Sequence, residues 1–345
     1  MIAAKRLRFH LPRVFPTWGA DPEFFLRNGK ELLPAFEFLP DKGGAALTRD
    51  SHRIYWDGFQ AEWSYFGHEH FDCIQTHCAY QQYAMFDLLT AARRKYPESR
   101  LTLENVVRVP EKMLKDAEEP FVQLGCMPSM NAYNAKGKPV ADGRTLKYRF
   151  AGGHIHFGYE DRDYCHEHAS KFVKTLDKIL GVWSVGAAKS FDNPLRRVYY
   201  GLAGEYRLPK HGFEYRTLSN FYYVHPGVFN LVHNIARACT KLTRSGHDNM
   251  WVSTDDMVQE AINNCDTKLA ARILKLNKSM FMYLLKLEGF ATPRRRAAYN
   301  VGMNGVEAVV KNPDNIETNW MLDRKVGGWP FESLDTWHTL TNKQQ

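Results

Sequence analysis

GGHIHF at residues 152–157 and FEYRTL at residues 213–218 are the two stretches that say most about how this chain folds. Each is apolar or aromatic, with polar side chains at alternating positions. Those side chains are His154, His156, Glu214 and Arg216. On a β-strand, residues i and i+2 point to the same face. Because buried charges and imidazoles are costly unless they are paired or bound to a metal, two such strands predict a built site.

The composition indicates a globular protein with enough apolar residues for a large core. The chain has 345 residues, of which 44% are hydrophobic, so it could form one large domain or two smaller ones. Its net charge of +8 suits anionic ligands such as nucleotides and leaves nucleic acid open. The aromatic run NFYY at residues 220–223 is more typical of a core than of a base-stacking platform.

The sequence favours a cytoplasmic protein. It contains no run of about 18 apolar residues, so no transmembrane helix is expected. The first residues, MIAAKRLRFH, are basic without a following apolar segment, which argues against a secretory signal. The six cysteines include no CxxC pair and are interpreted as free, mostly buried thiols. The segment at residues 67–78, GHEHFDCIQTHC, lacks the separated ligand pairs of a zinc finger, so a zinc site is not favoured.

The order of local patterns predicts an α+β fold with a mostly antiparallel sheet, rather than a doubly wound parallel sheet. Strand patterns cluster between residues 13 and 70 and return near residues 101–109, 150 and 215. Helical patterns cover about residues 77–96, 162–189 and 226–288. The sequence has no glycine-rich phosphate motif, so side chains and metals would have to hold any nucleotide.

Four groups of polar residues carry the predicted chemistry. They are Asp21 with Glu23, Asp57 with Glu62 and the loosely placed Glu69, His154 with His156, and Glu214 with Arg216. Carboxylates with an imidazole are suitable ligands for Mg²⁺ or Mn²⁺, and a guanidinium beside them suits a phosphoryl group. Arg196, Arg197 and Arg207 could add to such a site, although the first two could also be a solvated face. Metal ions and arginines around a phosphoryl group are typical of sites that catalyse phosphoryl transfer.

Each group also has a structural interpretation. The two histidines could belong to the core, and the E-x-R pair could be a structural salt bridge within the sheet. Asp21 precedes a proline and could lie in a turn. Asp57 is followed by Gly58, a pair most typical of a hairpin turn, so Asp57 is left out of the predicted site.

The order of these motifs resembles that of the glutamine-synthetase-like carboxylate–amine ligases, above all the phage COOH–NH2 ligase type 2 branch. The motifs are an acidic strand, DG-x-x-x-E, G-x-HIH, R-x-x-x-YG-x-x-GEYR and EYR-T-L, between about residues 17 and 235. The resemblance implies a curved, mostly antiparallel sheet that carries the active site and is packed by helices, as in the catalytic domain of glutamine synthetase. It predicts an amidoligase core at residues 1–235 and a helical C-terminal extension at residues 236–345, packed on the same domain.

The resemblance also implies roles for individual residues. The implied metal ligands are Asp21, Glu23, Glu62, His154 and Glu214. The implied ATP-binding residues are His156, Arg207 and Arg216, and the two arginines also have a catalytic role on the transferred phosphoryl group. The cofactors would be ATP with Mg²⁺ or Mn²⁺, in the cytoplasm of a bacterium or of a phage-infected host.

The implied reaction joins a carboxylate to an amine in two steps. The carboxylate attacks the γ-phosphate of ATP to give an acyl phosphate and ADP, and the amine then displaces phosphate. The partners would be ATP with a small-molecule or peptide carboxylate and amine, and no membrane. Two alternatives stay open: a phosphotransferase of the related guanidino-kinase-like fold, and a nucleic-acid-binding protein that uses the positive charge.

Overall fold

The fold is given by a computed structural model, which describes residues 17–43, 47–49, 52–65, 74–124, 129–133, 142–158, 162–246, 251–287, 306 and 315–322. The strands are β1 (Thr17–Phe24), β2 (Leu26–Asn28), β3 (Glu31–Leu33), β4 (Leu47–Arg49), β5 (His52–Asp57), β6 (Gln60–Tyr65), β7 (Ser99–Leu101), β8 (Val106–Arg108), β9 (Met130–Asn131), β10 (Tyr148–Phe150), β11 (Gly153–Gly158), β12 (Glu205–Arg207) and β13 (Gly212–Tyr215).

Eight of these strands form one large sheet in the order β4-β5-β6-β1-β11-β13-β12-β9. Every neighbouring pair in it is antiparallel. Two smaller antiparallel sheets, β10-β8 and β3-β2-β7, complete the strand structure of the described residues. The predicted combination of helices with a large antiparallel sheet is therefore confirmed.

Helices fill the chain between and after the strands. They are α1 (Ile74–Lys95), α2 (Glu111–Asp116), α3 (Glu119–Val122), α4 (Arg162–Leu176), α5 (Val182–Ala188), α6 (Pro194–Tyr199), α7 (Pro226–Arg244), α8 (Asp255–Asn263), α9 (Thr267–Leu276), α10 (Lys278–Leu287) and a short helix at Ile316–Asn319. A π-helical turn, Asp177–Gly181, joins α4 to α5. None of the described helices is long and apolar enough to cross a membrane.

The strands of the large sheet alternate between an apolar and a polar face. In β1, Trp18 is fully buried, and its ring meets Phe229 of α7 edge-on at 5.4 Å between centroids. In β13, Phe213 stacks on Phe172 of α4 at 5.7 Å. Because successive strand residues point to opposite faces, burying these rings under α4 and α7 turns neighbours such as Glu214 to the other face.

A buried carboxylate holds two of these strands from the apolar side. Asp177 accepts hydrogen bonds from the Tyr215 hydroxyl at 2.6 Å, the Gly204 N–H at 2.6 Å and the Thr217 hydroxyl at 3.1 Å. Burial raises the pKa of Asp177 to about 7 even though these donors favour the ionised form. The π-helical turn thereby fixes β13 and the turn that leads into β12.

Several local predictions can be compared with these elements. The helix expected at residues 77–96 begins at Ile74 and ends at Lys95. Pro97 explains this end, because a proline disfavours the helical conformation of the residue before it. Phe221, Tyr222 and Tyr223 are fully buried, which confirms that this aromatic run belongs to the core. The described cysteines are free thiols: Cys78, Cys165 and Cys239 are buried and Cys265 is partly exposed. The proposed boundary at residue 235 lies within α7, and the division into two parts stays a prediction.

Candidate active site

Five adjacent strands bring the predicted site residues to one face of the large sheet. These strands are β6, β1, β11, β13 and β12. The cross-strand pairs are Asp21–His154, Glu23–Glu62, His156–Glu214 and Arg207–Glu214. Residues paired directly across antiparallel strands project to the same side. Side chains that are distant in sequence thus share one polar surface.

Asp21, His156 and Glu214 form a first cluster, in which one potential ligand atom of each residue lies within 4.8 Å of the others. His156 Nε2 is 2.9 Å from Asp21 Oδ2. His154 adjoins the first cluster, with its Nδ1 3.4 Å from Asp21 and 3.3 Å from Glu214. The sequence assigned His154 to the metal and His156 to phosphate, whereas the structure places both imidazoles against the same two carboxylates.

Glu23, Asp57 and Glu62 form a second cluster, again with one oxygen of each residue within 4.8 Å of the others. Glu23 and Glu62 are buried and Asp57 is half-buried. Glu23 Oε2 also accepts a hydrogen bond from the Gly152 N–H at 2.6 Å, which ties β1 to the residue just before β11. Glu69, the loosely placed carboxylate of the sequence prediction, lies outside the described residues.

Asp57 is a site residue that the sequence prediction left out. Asp57-Gly58 does form a hairpin turn, with φ of +62° at Gly58, and Asp57 pairs with Gln60 across it. In the same hairpin Tyr55 pairs with Glu62, so Asp57, two residues after Tyr55, faces the same side as Glu62. The spacing D-G-x-x-x-E could therefore have identified Asp57, because a turn residue at a strand end can also project into a site.

The two clusters differ in their electrostatics. In the first, burial alone would raise the pKa of Asp21, but His156 and His154 hold it well below its ordinary value. The pKa of Glu214 is also lowered, since Arg216 and the two histidines outweigh burial and the repulsion from Asp21. The first cluster is therefore internally neutralised by cationic neighbours.

The second cluster carries excess negative charge. Burial, with repulsion from Glu23, raises the pKa of Asp57 to about 7. Burial, with repulsion from Asp21, raises the pKa of Glu62 to about 8. Two groups that the sequence did not single out contact Glu62: the Tyr55 hydroxyl donates to it at 2.5 Å, and Lys42 Nζ lies 3.3 Å away. Even with Lys42 nearby, the ionised carboxylates repel one another.

Arg216 and Arg207 border the first cluster from the β13–β12 side. Arg216 is buried, and its guanidinium donates to Glu214 Oε1 at 2.7 Å. Arg207, on β12, has its Nη1 3.7 Å from the other oxygen of Glu214. The ion pair suggested for the E-x-R motif is present, and it lies inside the site rather than apart from it.

Arg196 and Arg197 serve the scaffold instead. Both are buried, so they are not a solvated face. The Arg196 guanidinium donates to the backbone carbonyls of Ala151, Thr217 and Leu218 at 2.7–3.0 Å. Arg197 pairs with Asp192 at 2.7 Å and also donates to backbone carbonyls. These contacts hold the segments that flank β11 and β13.

Tyr200 is another residue to which the sequence prediction assigned no role, although it belongs to the R-x-x-x-YG motif. Its hydroxyl lies 3.0 Å from Glu23 Oε1 and 2.6 Å from His154 Nε2. It also accepts a hydrogen bond from Arg216 at 3.1 Å. Tyr200 therefore links the second cluster to the histidine and the arginine beside the first.

The donor atoms of both clusters suit a hard divalent cation. Carboxylate oxygens dominate, and they are the ligands that Mg²⁺ and Mn²⁺ prefer. The imidazole of His156 adds a nitrogen ligand, which these two ions accept less often than oxygen. The raised pKa values of Asp57 and Glu62 are a separate indication, because a bound cation would offset the burial and the repulsion that raise them. The residues present thus fit Mg²⁺ or Mn²⁺.

In the metal-free protein, Glu62 is expected to contribute a loss of stability as the pH rises from about 5 to about 8. Glu62, with a pKa of about 8, stays protonated when folded over this window, while the unfolded chain releases its proton near the ordinary value of about 4.3. The unfolded state then binds fewer protons, so the free energy of unfolding falls with rising pH. Urea unfolding in EDTA at several pH values measures this slope.

Glu62→Gln is expected to flatten that slope, since its amide does not titrate. Asp177 titrates in both proteins, so the difference between the slopes reports Glu62 together with the change that its removal causes in the neighbouring Asp57. Asp21 and Glu214 have lowered pKa values and lose stability only at more acidic pH, outside the window. Equal slopes for the two proteins would contradict the expectation.

The sequence of this chain matches a known family over more than half of its length. The family model described as "Phage phiEco32-like COOH.NH2 ligase-type 2" matches residues 132–322. The matched range contains β11, β12 and β13, and with them the histidines, Glu214 and both arginines of the site. No curated protein sequence matches the chain.

Proposed function

The chain belongs to the phage phiEco32-like COOH–NH2 ligase type 2 family, and from this we propose that it forms amide bonds in an ATP- and Mg²⁺-dependent reaction through an acyl phosphate. The observation that carries the proposal is the pair of carboxylate clusters, side by side on one sheet face and bordered by Arg216 and Arg207. This arrangement supports a glutamine-synthetase-like catalytic sheet.

In the proposed reaction, each part of the face has a separate task. The first cluster, with His154, and the second cluster would hold divalent ions, which when bound neutralise charge on phosphate oxygens. Arg216 and Arg207 would face the transferred phosphoryl group, where guanidinium groups stabilise developing negative charge. Burial of Glu23, Glu62 and Glu214 fixes the ligands before substrate arrives, which limits reorganisation during the reaction.

Product analysis tests this function. The protein is incubated with ATP, Mg²⁺ and a panel of amino acids and polyamines, and products are identified by mass spectrometry together with ADP release. The proposal expects ADP and an amide whose mass equals carboxylate plus amine minus water. No ADP formation with any pair, from folded protein, would contradict it.

The same assay separates the alternatives. A phosphotransferase would leave a stable phosphorylated acceptor when no second substrate is present, whereas a ligase would need both carboxylate and amine for a stable product. A nucleic-acid-binding protein would bind DNA with strong salt dependence, and that binding would survive Glu214→Gln. Amide formation that depends on both substrates excludes these readings of the site.

A further inference from the structure

We propose that Lys42 lowers the affinity of the second cluster for a divalent cation, because its ammonium group already lies against Glu62 and repels a metal ion there. The inference rests on the proposed function, since it takes the second cluster to be a cation site. It concerns a lysine that belongs to neither cluster and comes from the segment before β4.

Hydrogen bonds to β5 hold the backbone that carries Lys42. The Arg53 guanidinium donates to the backbone carbonyl of Lys42 at 3.0 Å. Two residues earlier, the Pro40 carbonyl accepts a hydrogen bond from the Trp56 N–H at 3.1 Å. The backbone of Lys42 therefore lies beside the β5–β6 hairpin, which carries two of the three carboxylates of the second cluster.

The side chain of Lys42 reaches the second cluster from its solvent side. Its Nζ lies 3.3 Å from Glu62 Oε1 and 4.7 Å from the centroid of the Tyr55 ring. An aromatic face attracts a cation, so the ring helps to place the ammonium group. The Lys42 side chain is 67% exposed, whereas that of Glu62 is 7% exposed. The ammonium group can therefore withdraw into water while the carboxylate stays in place.

The charges around Lys42 explain why it would oppose a metal ion. Burial by itself would lower the pKa of Lys42, but attraction to Glu62, Asp21 and Asp57 raises it above its ordinary value. The ammonium group thus offsets part of the negative charge of these carboxylates when no metal ion is bound. A divalent cation held by the same carboxylates would lie close to a like charge, and the repulsion subtracts from its binding energy.

The experiment measures Mn²⁺ affinity without ATP, by electron paramagnetic resonance of unbound Mn²⁺, in wild type, Lys42→Met and Lys30→Met. Methionine keeps an unbranched side chain and removes the charge. Lys30 is the matched control, because it is an exposed lysine in the β2–β3 turn and belongs to neither cluster. Lys42→Met is expected to bind Mn²⁺ about tenfold more tightly, the size expected for one screened charge close to a divalent ion. Lys30→Met should match wild type.

The direction of the change separates this inference from other roles of Lys42. A lysine that only supports folding or contacts phosphate would leave Mn²⁺ affinity unchanged or weakened when it is replaced. Affinity of Lys42→Met equal to or weaker than that of wild type would overturn the inference and leave the proposed function standing. Wild type that binds no Mn²⁺ would contradict the metal part of the proposed function, and the inference would fail with it.

Lys42→Arg tests whether charge is the cause. Arginine keeps the positive charge, so its Mn²⁺ affinity should stay within about threefold of wild type. A tenfold gain in Lys42→Arg as well would show that the side chain acts by its shape, and would overturn the inference.

A double-mutant cycle locates the effect at the second cluster. In a Glu62→Gln background the ammonium group loses its nearest carboxylate partner, so adding Lys42→Met should tighten Mn²⁺ binding by less than about threefold. In a Glu317→Gln background, which changes a buried carboxylate outside both clusters, the tenfold gain should persist. A full tenfold gain in Glu62→Gln would overturn the assignment of Lys42 to the second cluster.

Discussion

Glu214→Gln is expected to lower the rate of ATP-dependent ligation by about a thousandfold or more. Glu214 connects three groups of the proposed phosphate site: it belongs to the first cluster, lies 3.3 Å from His154 and pairs with Arg216 at 2.7 Å. Loss of the Glu214 charge would weaken cation binding and remove the carboxylate that faces Arg216 and Arg207. Metal and guanidinium contacts to a phosphoryl group supply several kcal/mol of transition-state stabilisation, and about 4 kcal/mol corresponds to a thousandfold.

Glutamine is the informative replacement because it keeps the shape and an oxygen acceptor for Arg216. Alanine would strip a buried guanidinium of its carboxylate, which commonly destabilises a protein by about 3–5 kcal/mol and would confuse folding with catalysis. ADP release and Mn²⁺ affinity, measured on the same samples, separate loss of metal from loss of turnover.

Glu317→Gln is the matched control for this prediction. Glu317 is also buried, pairs with Arg93 at 2.5 Å and accepts a hydrogen bond from the Leu101 N–H at 3.2 Å, so the chemical change is the same. Arg93 and Leu101 lie outside both clusters, so the turnover of Glu317→Gln should stay near that of wild type. Turnover of Glu214→Gln within tenfold of wild type would count against Glu214 as a ligand.

The polar face of the sheet could be predicted from sequence because strand alternation is a local property. His154 with His156, and Asp21 with Glu23, each show the period of two within a few residues. The strand order could not be predicted in the same way. Residue Asp21 meets His154 only through pairing between distant segments, which no local pattern specifies.

Single residues at strand ends and outside the strands were the hardest to predict. Lys42 and Tyr200 have no periodic neighbours to mark them, and their roles follow from where loops bring them. Arg196 was interpreted from its charge, whereas its partners are backbone carbonyls, which a sequence does not distinguish. Asp57 was assigned only to a hairpin turn, although the same residue also belongs to the second cluster.

The family match and the motif resemblance cover different parts of the chain. The resemblance was placed at about residues 17–235, and the family model matches residues 132–322. The carboxylates of the second cluster, with Asp21, lie before the matched range. They nevertheless lie on β1, which pairs with β11, on β6, which pairs with β1, and on β5, which pairs with β6, so the site is built from both regions.

Arg196→Met is expected to destabilise the protein by about 3–4 kcal/mol. Methionine fills much of the same volume but cannot donate to the carbonyls of Ala151, Thr217 and Leu218, and each buried group left without a donor costs about 1–3 kcal/mol. Part of this loss is offset. Burial and the nearby Arg197 lower the pKa of Arg196, which means that its buried charge is costly, and the neutral methionine removes that cost. The unfolding free energy from urea titration measures the net effect.

Arg100→Met makes the same substitution at an exposed position of β7 and should change stability by no more than about 0.5 kcal/mol. Arg196→Lys should recover only part of the loss, because one ammonium cannot reproduce the fork that reaches three carbonyls. Those carbonyls lie just before β11 and just after Arg216, so a destabilised Arg196→Met should also loosen the Glu214–Arg216 end of the site. A loss below 1 kcal/mol would show that Arg196 is not what holds these two segments together.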